Sequence, residues 1–464
     1  MGGTRQDVPG TAPVPVSGGV PRGELGDALA HFHAQSYDKD VSQVETLFFG
    51  SEPSNGLARP VRGQIRPHLN ALNPLRGLDA AGPALGGPWS PAQRLLAACV
   101  EAVRVRRISA ADRYPVHRAY PSPRGLFGAD LFLLPAEGAA WCLRVDPQSH
   151  ALQPFGGRDA PSDLEKALSE ARLVVAADRH RYPPGYGRLR PSLARLEGGH
   201  LLACLALTLT RAGLNPRTHP NPDHPACAEA APLLPEGMVP IAAITPGPGS
   251  HGATALSPEA AAEVAARVSP SGRSLRAWLD ERTSGVSTAN LVTSAHVSPE
   301  QGSRVTSGLV MAFAEVRAVL YEPDALRLYR HVLEGDRVDG RVVRELLPDG
   351  SEGPARPVPR TGETNFSATL GYTFAVDFPA WARAHGAEHA ETVLHTLLGW
   401  IAQWGCLGAA ATGLCARPMR NYAEEDWACV LGLAPEQTPA YQLWVRAERG
   451  TYLDIPVDAA PETP

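Results

Sequence analysis

Residues 192–214, SLARLEGGHLLACLALTLTRAGL, are the stretch of this chain that decides its fold. The stretch is long and mostly apolar, and Gly213 stands where helices commonly end in a left-handed residue. A helix that is apolar around most of its circumference has to be buried. We therefore expect a central, nearly buried helix at this point of the chain.

The chain contains a second stretch of the same kind. Residues 399–414, GWIAQWGCLGAAATGL, are also small and apolar through the middle, end on Gly-Leu, and have the same spacing between their first and last glycines. The glycines compared are Gly199, Gly213, Gly399 and Gly413. Each stretch is followed by a strand-like segment, MVPIAAI at residues 238–244 and YQLWVRA at residues 441–447. The pattern predicts an internal duplication.

Local signals in the first half predict one further helix and two strands. Residues 90–103, SPAQRLLAACVEAV, begin with Ser-Pro and carry apolar residues at helical spacing, which is typical of a helix. Residues 126–134 and 140–145 are short and apolar, and we expect them to be strands joined by a turn.

The length of the chain indicates its domain organisation. Its 464 residues exceed one ordinary core and fit two units of roughly 200 residues each. Gly- and Pro-rich runs mark the boundaries, one at the start and one at residues 245–255, TPGPGSHGATA. We expect a flexible leader at residues 1–24, a first half at residues 25–247 and a second half at residues 256–464.

Charge and cysteine content argue against several classes of function. The formal net charge is −5, whereas binding to nucleic acid or an anionic membrane calls for a concentrated basic face. The seven cysteines are odd in number and form no CxxC, which argues against a disulfide framework or a thiolate zinc site. His219, His224 and Cys227 lack a fourth ligand at standard spacing, so no metal is predicted. With no signal sequence or membrane-spanning run, we expect a reducing, cytoplasmic location.

Two segments of the first half carry a family resemblance. Residues 118–134, RAYPSPRGLFGADLFLL, match R-x-x-P-S-x-G-x-L-Y-P-x-E-x-Y, with Phe-Gly in place of Tyr-Pro. Residues 185–200, GYGRLRPSLARLEGGH, lie over K-Y-G-x-R-x-Y-R-x-x-L-x-E-x-G-H, with Gly185 where the pattern has lysine. Over these segments the chain resembles the nitroreductase-like flavoenzymes that act as azoline dehydrogenases on ribosomally made peptides.

A segment of the second half resembles the phosphate motif of the same family. Residues 274–287, SLRAWLDERTSGVS, are similar to the family's opening helix and its R-x-S-x-R sequence, with Val286 where the second arginine belongs. The first half has no convincing R-x-S, and the second half has no clean P-S-x-G. Because this family binds FMN between two subunits, the complementary losses imply a fused pair that keeps one composite site.

The resemblance implies an α+β fold. The chain would be a tandem, pseudo-dimeric nitroreductase fold, in which each half is an antiparallel-rich mixed sheet wrapped by helices around a central buried helix. The two halves would form an intrachain pseudo-dimer, and further homodimerisation is left open. Such a tandem arrangement is similar to the dehydrogenases of thiopeptide pathways.

The resemblance also assigns residues to the FMN phosphate. Arg282 and Ser284 match the motif, and they would bind the phosphate through the guanidinium group and the hydroxyl. Arg417 and Arg420, just beyond the glycine that ends the second stretch, are the candidate partners late in the chain. For Arg420 the alternative is an ordinary surface arginine near a helix end.

Pro121, Ser122 and Gly125 would bring backbone close to the flavin ring. The alternative for these three residues is an ordinary Pro-Ser-Pro turn. His200 also matches the family pattern, but a histidine on an apolar helix is more often a hydrogen-bonded core residue, so we interpret it as structural.

Tyr186 is the candidate catalytic residue that the resemblance implies. It could act as a base or proton relay if a nearby cation lowers the pKa of its phenol from about 10. Because Gly185 replaces the family's lysine, the pair Arg181-Tyr182 just upstream is a candidate substitute, and Arg181 or Arg188 could supply the cation. The alternative is a half-buried loop tyrosine whose hydroxyl is satisfied elsewhere.

Three functions are consistent with these features. The leading hypothesis is an FMN-dependent dehydrogenase that oxidises thiazoline or oxazoline rings to azoles, with an azoline-containing precursor peptide as substrate and a cyclodehydratase as a candidate partner. The second is a reductase of the same fold that uses NAD(P)H to reduce a small molecule. The third is a flavin-free scaffold that binds the precursor peptide.

Overall fold

The computed structural model describes most of the chain from residue 90 onward. The described residues are 90–109, 114, 116–147, 151–155, 160–214, 216–246, 275–285, 297–318, 320, 322–333, 341–357, 370–420, 422–447 and 454–456. The leader at residues 1–24 and most of the boundary at residues 245–255 lie outside them. The division into residues 25–247 and 256–464 therefore stays a prediction. Within the described ranges, no helix is both long and apolar enough to cross a membrane.

The first half, as far as it is described, alternates strands and helices. Its strands are β1 (Val105–Ser109), β2 (Val116–Arg118), β3 (Ala129–Leu134), β4 (Leu143–Asp146), β5 (Ala151–Pro154), β6 (Arg172–Asp178), β7 (Pro216–His219) and β8 (Met238–Pro246). Its helices are α1 (Pro91–Val103), α2 (Leu164–Ser169), α3 (Leu189–Arg211) and α4 (Pro225–Ala230). Helix α1 begins as predicted, because Ser90 and Gln93 form a reciprocal capping box.

The described part of the second half also consists of helices and strands. Its helices are α5 (Leu275–Glu281), α6 (Pro299–Ala318), α7 (Phe378–His385), α8 (Ala390–Ala411) and α9 (Glu424–Leu431). Its strands are β9 (Leu326–Leu333), β10 (Arg341–Leu346), β11 (Arg356–Pro357), β12 (Leu370–Asp377), β13 (Cys415–Met419), β14 (Gln437–Arg446) and β15 (Asp454–Pro456).

Two six-stranded sheets have the same strand order. The first runs β5-β4-β3-β6-β8-β7 and the second β11-β10-β9-β12-β14-β13. All neighbouring strands in these two sheets are antiparallel. A register shift follows Val175 in the pairing of β6 with β8, and an equivalent shift follows Phe374 in the pairing of β12 with β14. The shared order and the shared irregularity confirm the predicted α+β fold built from an internal repeat.

The two apolar stretches of the sequence form the central helices α3 and α8. Nearly all residues of α3 and every residue of α8 are buried. Each helix is followed by a left-handed glycine, Gly213 with φ 69° and Gly413 with φ 78°, as the sequence predicts. Helix α8 begins well before the predicted start at Gly399. Its first turns carry polar residues such as Glu391 and His395, which are nevertheless buried. A search for a continuous apolar stretch therefore does not find the start of this helix.

Helices α3 and α8 cross in direct backbone contact. A Cβ atom at Gly199 would overlap the carbonyl oxygen of Thr396, and a Cβ atom at Gly399 would overlap that of Leu196. Arg195, one helical turn before Gly199, forms a buried ion pair of 2.9 Å with Glu391 of α8. Gly199 and Gly399, the first glycines of the two matched stretches, are therefore contact points of the two halves.

Replacing Gly199 with alanine should destabilise the protein. The new methyl group meets backbone that cannot rotate away, and overpacking of this kind costs about 1–3 kcal/mol or more. Urea unfolding would measure the loss. Gly302→Ala in helix α6 is the matched control, because its Cβ would make only ordinary van der Waals contacts, with Leu370 Cδ2 at 3.6 Å and Val297 Cγ1 at 3.9 Å. The control should be neutral or stabilising by up to about 1 kcal/mol. Equal stability of Gly199→Ala and the unchanged protein would contradict the close crossing.

Candidate functional site

A cavity of about 350 Å³ lies between the two halves. The first half supplies the loop between β2 and β3, the turn before α3 and one face of α3, and the second half supplies the segment after α5, strand β13 and part of β14. Most of the residues assigned from the sequence line this cavity. These are Pro121, Ser122, Gly125, Tyr186, Arg282, Ser284, Arg417 and Arg420.

Guanidinium groups gather at the second-half side of the cavity. The Nε and Nη2 atoms of Arg282 donate to the backbone oxygen of Arg118, at 3.3 and 3.1 Å, and its Nη1 donates to Ser284 Oγ at 3.2 Å. Arg417 Nε donates to the backbone oxygen of Ser284 at 3.1 Å. Arg282, Ser284 and Arg417 are therefore neighbours, as the predicted phosphate site requires.

Arg420 completes this group but is also tied to the protein. Its Nη1 donates to Glu424 Oε1 at 2.6 Å and to the Tyr422 hydroxyl at 3.0 Å, and its side chain is buried. The alternative interpretation of Arg420 as an ordinary surface arginine is therefore wrong. One carboxylate already balances its charge, so Arg282 and Arg417 are the stronger candidates for an anion.

Arginines at the end of α1 and on β1 hold the segment that carries Arg282. Arg107 Nη1 donates to the backbone oxygens of Asp280 and Arg282, at 2.8 and 2.9 Å. Arg104 and Arg106 form ion pairs with the Asp280 carboxylate, at 3.1 and 2.8 Å. The first half thus fixes the backbone of a residue that the second half contributes.

The loop between β2 and β3 forms one wall of the cavity and has an uncommon backbone. Arg124, Gly125 and Phe127 have φ values of 55°, 65° and 49°, a region that residues other than glycine seldom adopt. Ser122 Oγ accepts a hydrogen bond of 2.8 Å from the Phe127 amide and so holds the loop closed. Such conformations persist where the surroundings enforce them, and they cluster at functional sites.

A buried carboxyl group, Glu197 of α3, stands behind this loop and lines the cavity. Its Oε1 accepts from the Ala129 amide at 3.0 Å and its Oε2 from the Tyr182 hydroxyl at 2.7 Å, and the Ser122 hydroxyl is a further partner. Burial raises the pKa of Glu197 above its ordinary value, although these three hydrogen bonds act in the opposite direction.

His200 connects the two halves at the back of the cavity. Its Nδ1 bonds Gln403 Oε1 at 2.9 Å and its Nε2 bonds the Tyr441 hydroxyl at 3.0 Å. Gln403 Nε2 in turn donates to the backbone oxygen of Ala119 at 3.0 Å. Burial lowers the pKa of His200 to about 3, so the ring is neutral at physiological pH. These bonds agree with the structural interpretation of His200, and they also place it on the cavity wall.

Tyr186 lies half-buried on the first-half side of the cavity. Burial raises the pKa of its phenol to about 12, and the nearby Arg124 acts in the opposite direction. The guanidinium carbon of Arg124 is 5.6 Å from the centre of the Tyr186 ring and 5.9 Å from that of Tyr114. A cation is thus present beside Tyr186, and it comes from the β2–β3 loop.

Arg181 and Tyr182 do not line the cavity. Arg181 forms an ion pair with the buried Asp130 and donates to the backbone oxygen of Phe127 at 2.6 Å. Tyr182 is fully buried, and its ring fills the space that a Cβ atom at Gly128 would occupy. Both residues support the β2–β3 loop from behind, so the catalytic role predicted for them has no support in this geometry.

The donors around the cavity suit an anionic ligand. Three arginines stand at one side and Arg124 at the other, against the single carboxyl group of Glu197. Guanidinium groups with a hydroxyl beside them are the usual partners of a phosphate. In the described part of the chain, no group of three or more His, Cys, Asp or Glu side chains is placed to hold a metal ion.

Comparison with solved structures shows what this architecture is. A protein from Anabaena variabilis assigned to the nitroreductases superposes with a TM-score of 0.65 and 13% sequence identity, over 91% of this chain and 99% of that one. The chain has the nitroreductase fold. At this level of identity the likeness shows the fold alone. The superposition spans both halves, so the tandem arrangement occurs in the neighbour as well.

Two other solved structures match only parts of the chain, with TM-scores below the level that indicates a shared fold. A protein from Ralstonia eutropha assigned to the nitroreductases has a TM-score of 0.31 and 15% identity, over 39% of this chain and 86% of that one. A chain of the E. coli microcin synthetase complex, solved with truncated pro-MccB17 bound, has a TM-score of 0.24 and 19% identity, over 33% and 63%. The chain matches no protein-family profile and no curated protein.

Glu197, Arg124 and Tyr441 also line the cavity, and the sequence assigned them no role. Glu197 belongs to the family pattern that residues 185–200 resemble, and its position three residues before His200 could have marked it as a site residue. Arg124 and Tyr441 have no such signal, because a loop and a strand from different halves bring them to the cavity.

Replacing Gly128 with alanine should disturb the back of the cavity. The new Cβ atom would overlap the Tyr182 ring, and we expect a loss of stability of about 1–3 kcal/mol. A double-mutant cycle with Tyr182→Ala, followed by urea unfolding, isolates this contact. In the Tyr182→Ala background the extra cost of Gly128→Ala should disappear. An equal cost in both backgrounds would show that Gly128 matters for another reason.

Proposed function

We propose that this chain is an FMN-dependent dehydrogenase that oxidises thiazoline or oxazoline rings in a ribosomally made precursor peptide to azoles. The observation that carries the proposal is the composite cavity, where Arg282, Ser284 and Arg417 of the second half face Ser122 and Tyr186 of the first. The resemblance of the sequence to azoline dehydrogenases supports the same conclusion. The azoline-containing peptide and a cyclodehydratase are the proposed partners.

The phosphate of FMN fits the second-half side of the cavity. Arg282 and Arg417 offer guanidinium donors around Ser284, and Arg107 holds the backbone of Arg282 in place. Arg420 also lines this side of the cavity, with its charge balanced by Glu424. Phosphate held by fixed arginines costs little reorganisation on binding, because the donors are already positioned.

The flavin ring would lie along the β2–β3 loop. There Pro121, Ser122 and Gly125 offer a wall with little side-chain bulk, and Gly125 supplies the left-handed backbone that the turn needs. When bound, FMN supplies a two-electron acceptor, which is what removal of a hydride from the azoline ring requires.

Tyr186 is placed to orient the substrate and to relay a proton. With a phenol pKa of about 12, the ionised form amounts to roughly one part in 100,000 at pH 7. Tyr186 therefore acts mainly as a neutral hydrogen-bond donor beside the flavin. Arg124 takes the place of the cation that the sequence leads one to expect from Arg181 or Arg188.

Replacing Arg282 with glutamine should weaken binding of FMN and leave binding of riboflavin nearly unchanged. Loss of a buried, charge-assisted phosphate contact should cost about 2–3 kcal/mol, or roughly a 30- to 150-fold higher Kd for FMN. Quenching of flavin fluorescence measures both ligands. Arg304→Gln, on the outer side of helix α6, is the control and should bind FMN normally. An equal loss for riboflavin would mean that Arg282 does not contact the phosphate.

Replacing Tyr186 with phenylalanine should leave FMN bound while slowing turnover. Removing a positioned proton donor or relay lowers the rate about 100-fold or more. The visible absorbance of the purified variant reports bound FMN, and mass spectrometry of a short synthetic peptide carrying one thiazoline reports the loss of two hydrogens. Unchanged turnover would remove Tyr186 from the mechanism.

The same measurements on the unchanged protein test the proposed function. We expect one FMN per chain and conversion of the thiazoline peptide under air. Rapid bleaching of the flavin by NADPH without peptide, together with no thiazoline oxidation, would establish the reductase instead. Absence of flavin after soaking with FMN would leave the peptide-binding scaffold.

A further inference from the structure

Glu197 has features that packing alone does not call for. Its side chain is 1% exposed, lies on the cavity wall and belongs to the central helix α3. A buried carboxyl group is costly unless hydrogen bonds compensate it, and three donors converge on this one: the Ala129 amide, the Tyr182 hydroxyl and the Ser122 hydroxyl. These donors favour the carboxylate form and offset part of the cost of burial, although the pKa of Glu197 stays above its ordinary value.

Ser122 links this carboxyl group to the interior of the cavity. Its hydroxyl is a partner of Glu197, and its Oγ accepts from the Phe127 amide at 2.8 Å. Ser122 itself lines the cavity and is half-buried. Because Ser122 borders both the cavity and the Glu197 carboxyl group, it is the side chain through which a proton can pass from one to the other.

The ordinary acidities of the two candidate bases decide between them. A phenol ordinarily titrates near pH 10 and a glutamate near pH 4.3, so at pH 7 the carboxylate is the abundant base and the phenolate a rare one. Burial widens the difference for Tyr186, whose phenol pKa is about 12. Burial also raises the pKa of Glu197, which brings this group closer to the range useful for a general base.

We propose that Glu197 accepts the proton in this site and receives it through Ser122. The inference rests on the proposed function. In the step, the C–H bond of one ring carbon breaks, Ser122 Oγ takes that proton, and the hydroxyl proton of Ser122 moves to the Glu197 carboxylate. The electron pair left in the ring would form the new double bond, and the adjacent ring atom would release a hydride, for which bound FMN would supply the acceptor. Glu197 ends as a neutral acid, and no other co-reactant is consumed.

The surroundings of Glu197 set the direction of the expected pH dependence. Turnover requires the carboxylate, so it should rise with pH through the Glu197 pKa. The Tyr182 hydroxyl donates to the carboxylate at 2.7 Å and stabilises the charged form. Removing it should move the rise to higher pH. The other titratable groups that interact electrostatically with Glu197 are Arg118, Tyr120, Arg181 and Tyr441.

Glu197→Gln, Tyr182→Phe and the pair Ser122→Ala and Ser122→Thr test the proposal with the thiazoline peptide. Glu197→Gln should bind FMN and lose at least about 100-fold in kcat, as expected for loss of a general base. Tyr182→Phe should shift the rising limb of the pH–rate profile upward. Ser122→Ala should lose activity as Glu197→Gln does, whereas Ser122→Thr, which keeps a hydroxyl, should restore most of it.

Tyr372→Phe is the matched control for removing a buried tyrosine hydroxyl. The Tyr372 hydroxyl bonds Thr306 at 2.8 Å in the second half and does not line the cavity. The pH–rate profile of Tyr372→Phe should match that of the unchanged protein. A Tyr182→Phe profile that does not move, or a Glu197→Gln turnover within about threefold of the unchanged protein, would overturn the proposal.

The two proposals fail in different ways. If the unchanged protein does not oxidise the thiazoline peptide, the proposed function is wrong. If it does so and Glu197→Gln does so equally well, only the role of Glu197 is wrong. Infrared difference spectra of the two proteins give a readout without substrate, because a protonated-carboxyl band that titrates above the ordinary glutamate range should appear only when Glu197 is present. Absence of that band would also overturn the role of Glu197.

Discussion

The contact between Gly199 and Gly399 is the constraint on which the rest of this structure depends. Because neither residue has a side chain, the backbones of α3 and α8 lie in direct contact where the two helices cross. Glu197 and His200 lie on α3 beside this crossing, and Gln403 lies on α8. This crossing therefore sets how closely the two halves approach each other beside the cavity.

Much of the fold could be predicted from the sequence because it depends on repeated local patterns. The apolar stretches at residues 192–214 and 399–414 indicated the central helices, and their terminal glycines indicated the helix ends. The start of α8 was missed, since the polar residues of its first turns are buried only through tertiary contacts. For the same reason, no pattern in one half alone could show that the glycines of the two stretches touch.

For the candidate site, too, the residues in local motifs could be predicted from the sequence, and those brought together only by tertiary contacts could not. Motif residues such as Arg282, Ser284 and Ser122 line one cavity, as the resemblance implied, because each belongs to a short segment with its own signature. Arg124 reaches Tyr186 from a loop sixty-two positions away, as the numbering shows, so only the folded chain reveals that cation. Arg181 and Tyr182 had the right chemistry in sequence, but the turn after β6 directs them behind the loop rather than into the cavity.

The last described strand, β15, pairs with β1 of the first half and not with a strand of the half that precedes it. A ribosome makes β1 long before β15, so this three-stranded sheet stays open at one edge until residues 454–456 have been synthesised. Arg107 of β1 likewise forms its hydrogen bonds to the backbone of Asp280 and Arg282 only after α5 has been made. Because the cavity takes residues from both halves, it can assemble only after the second half has been made.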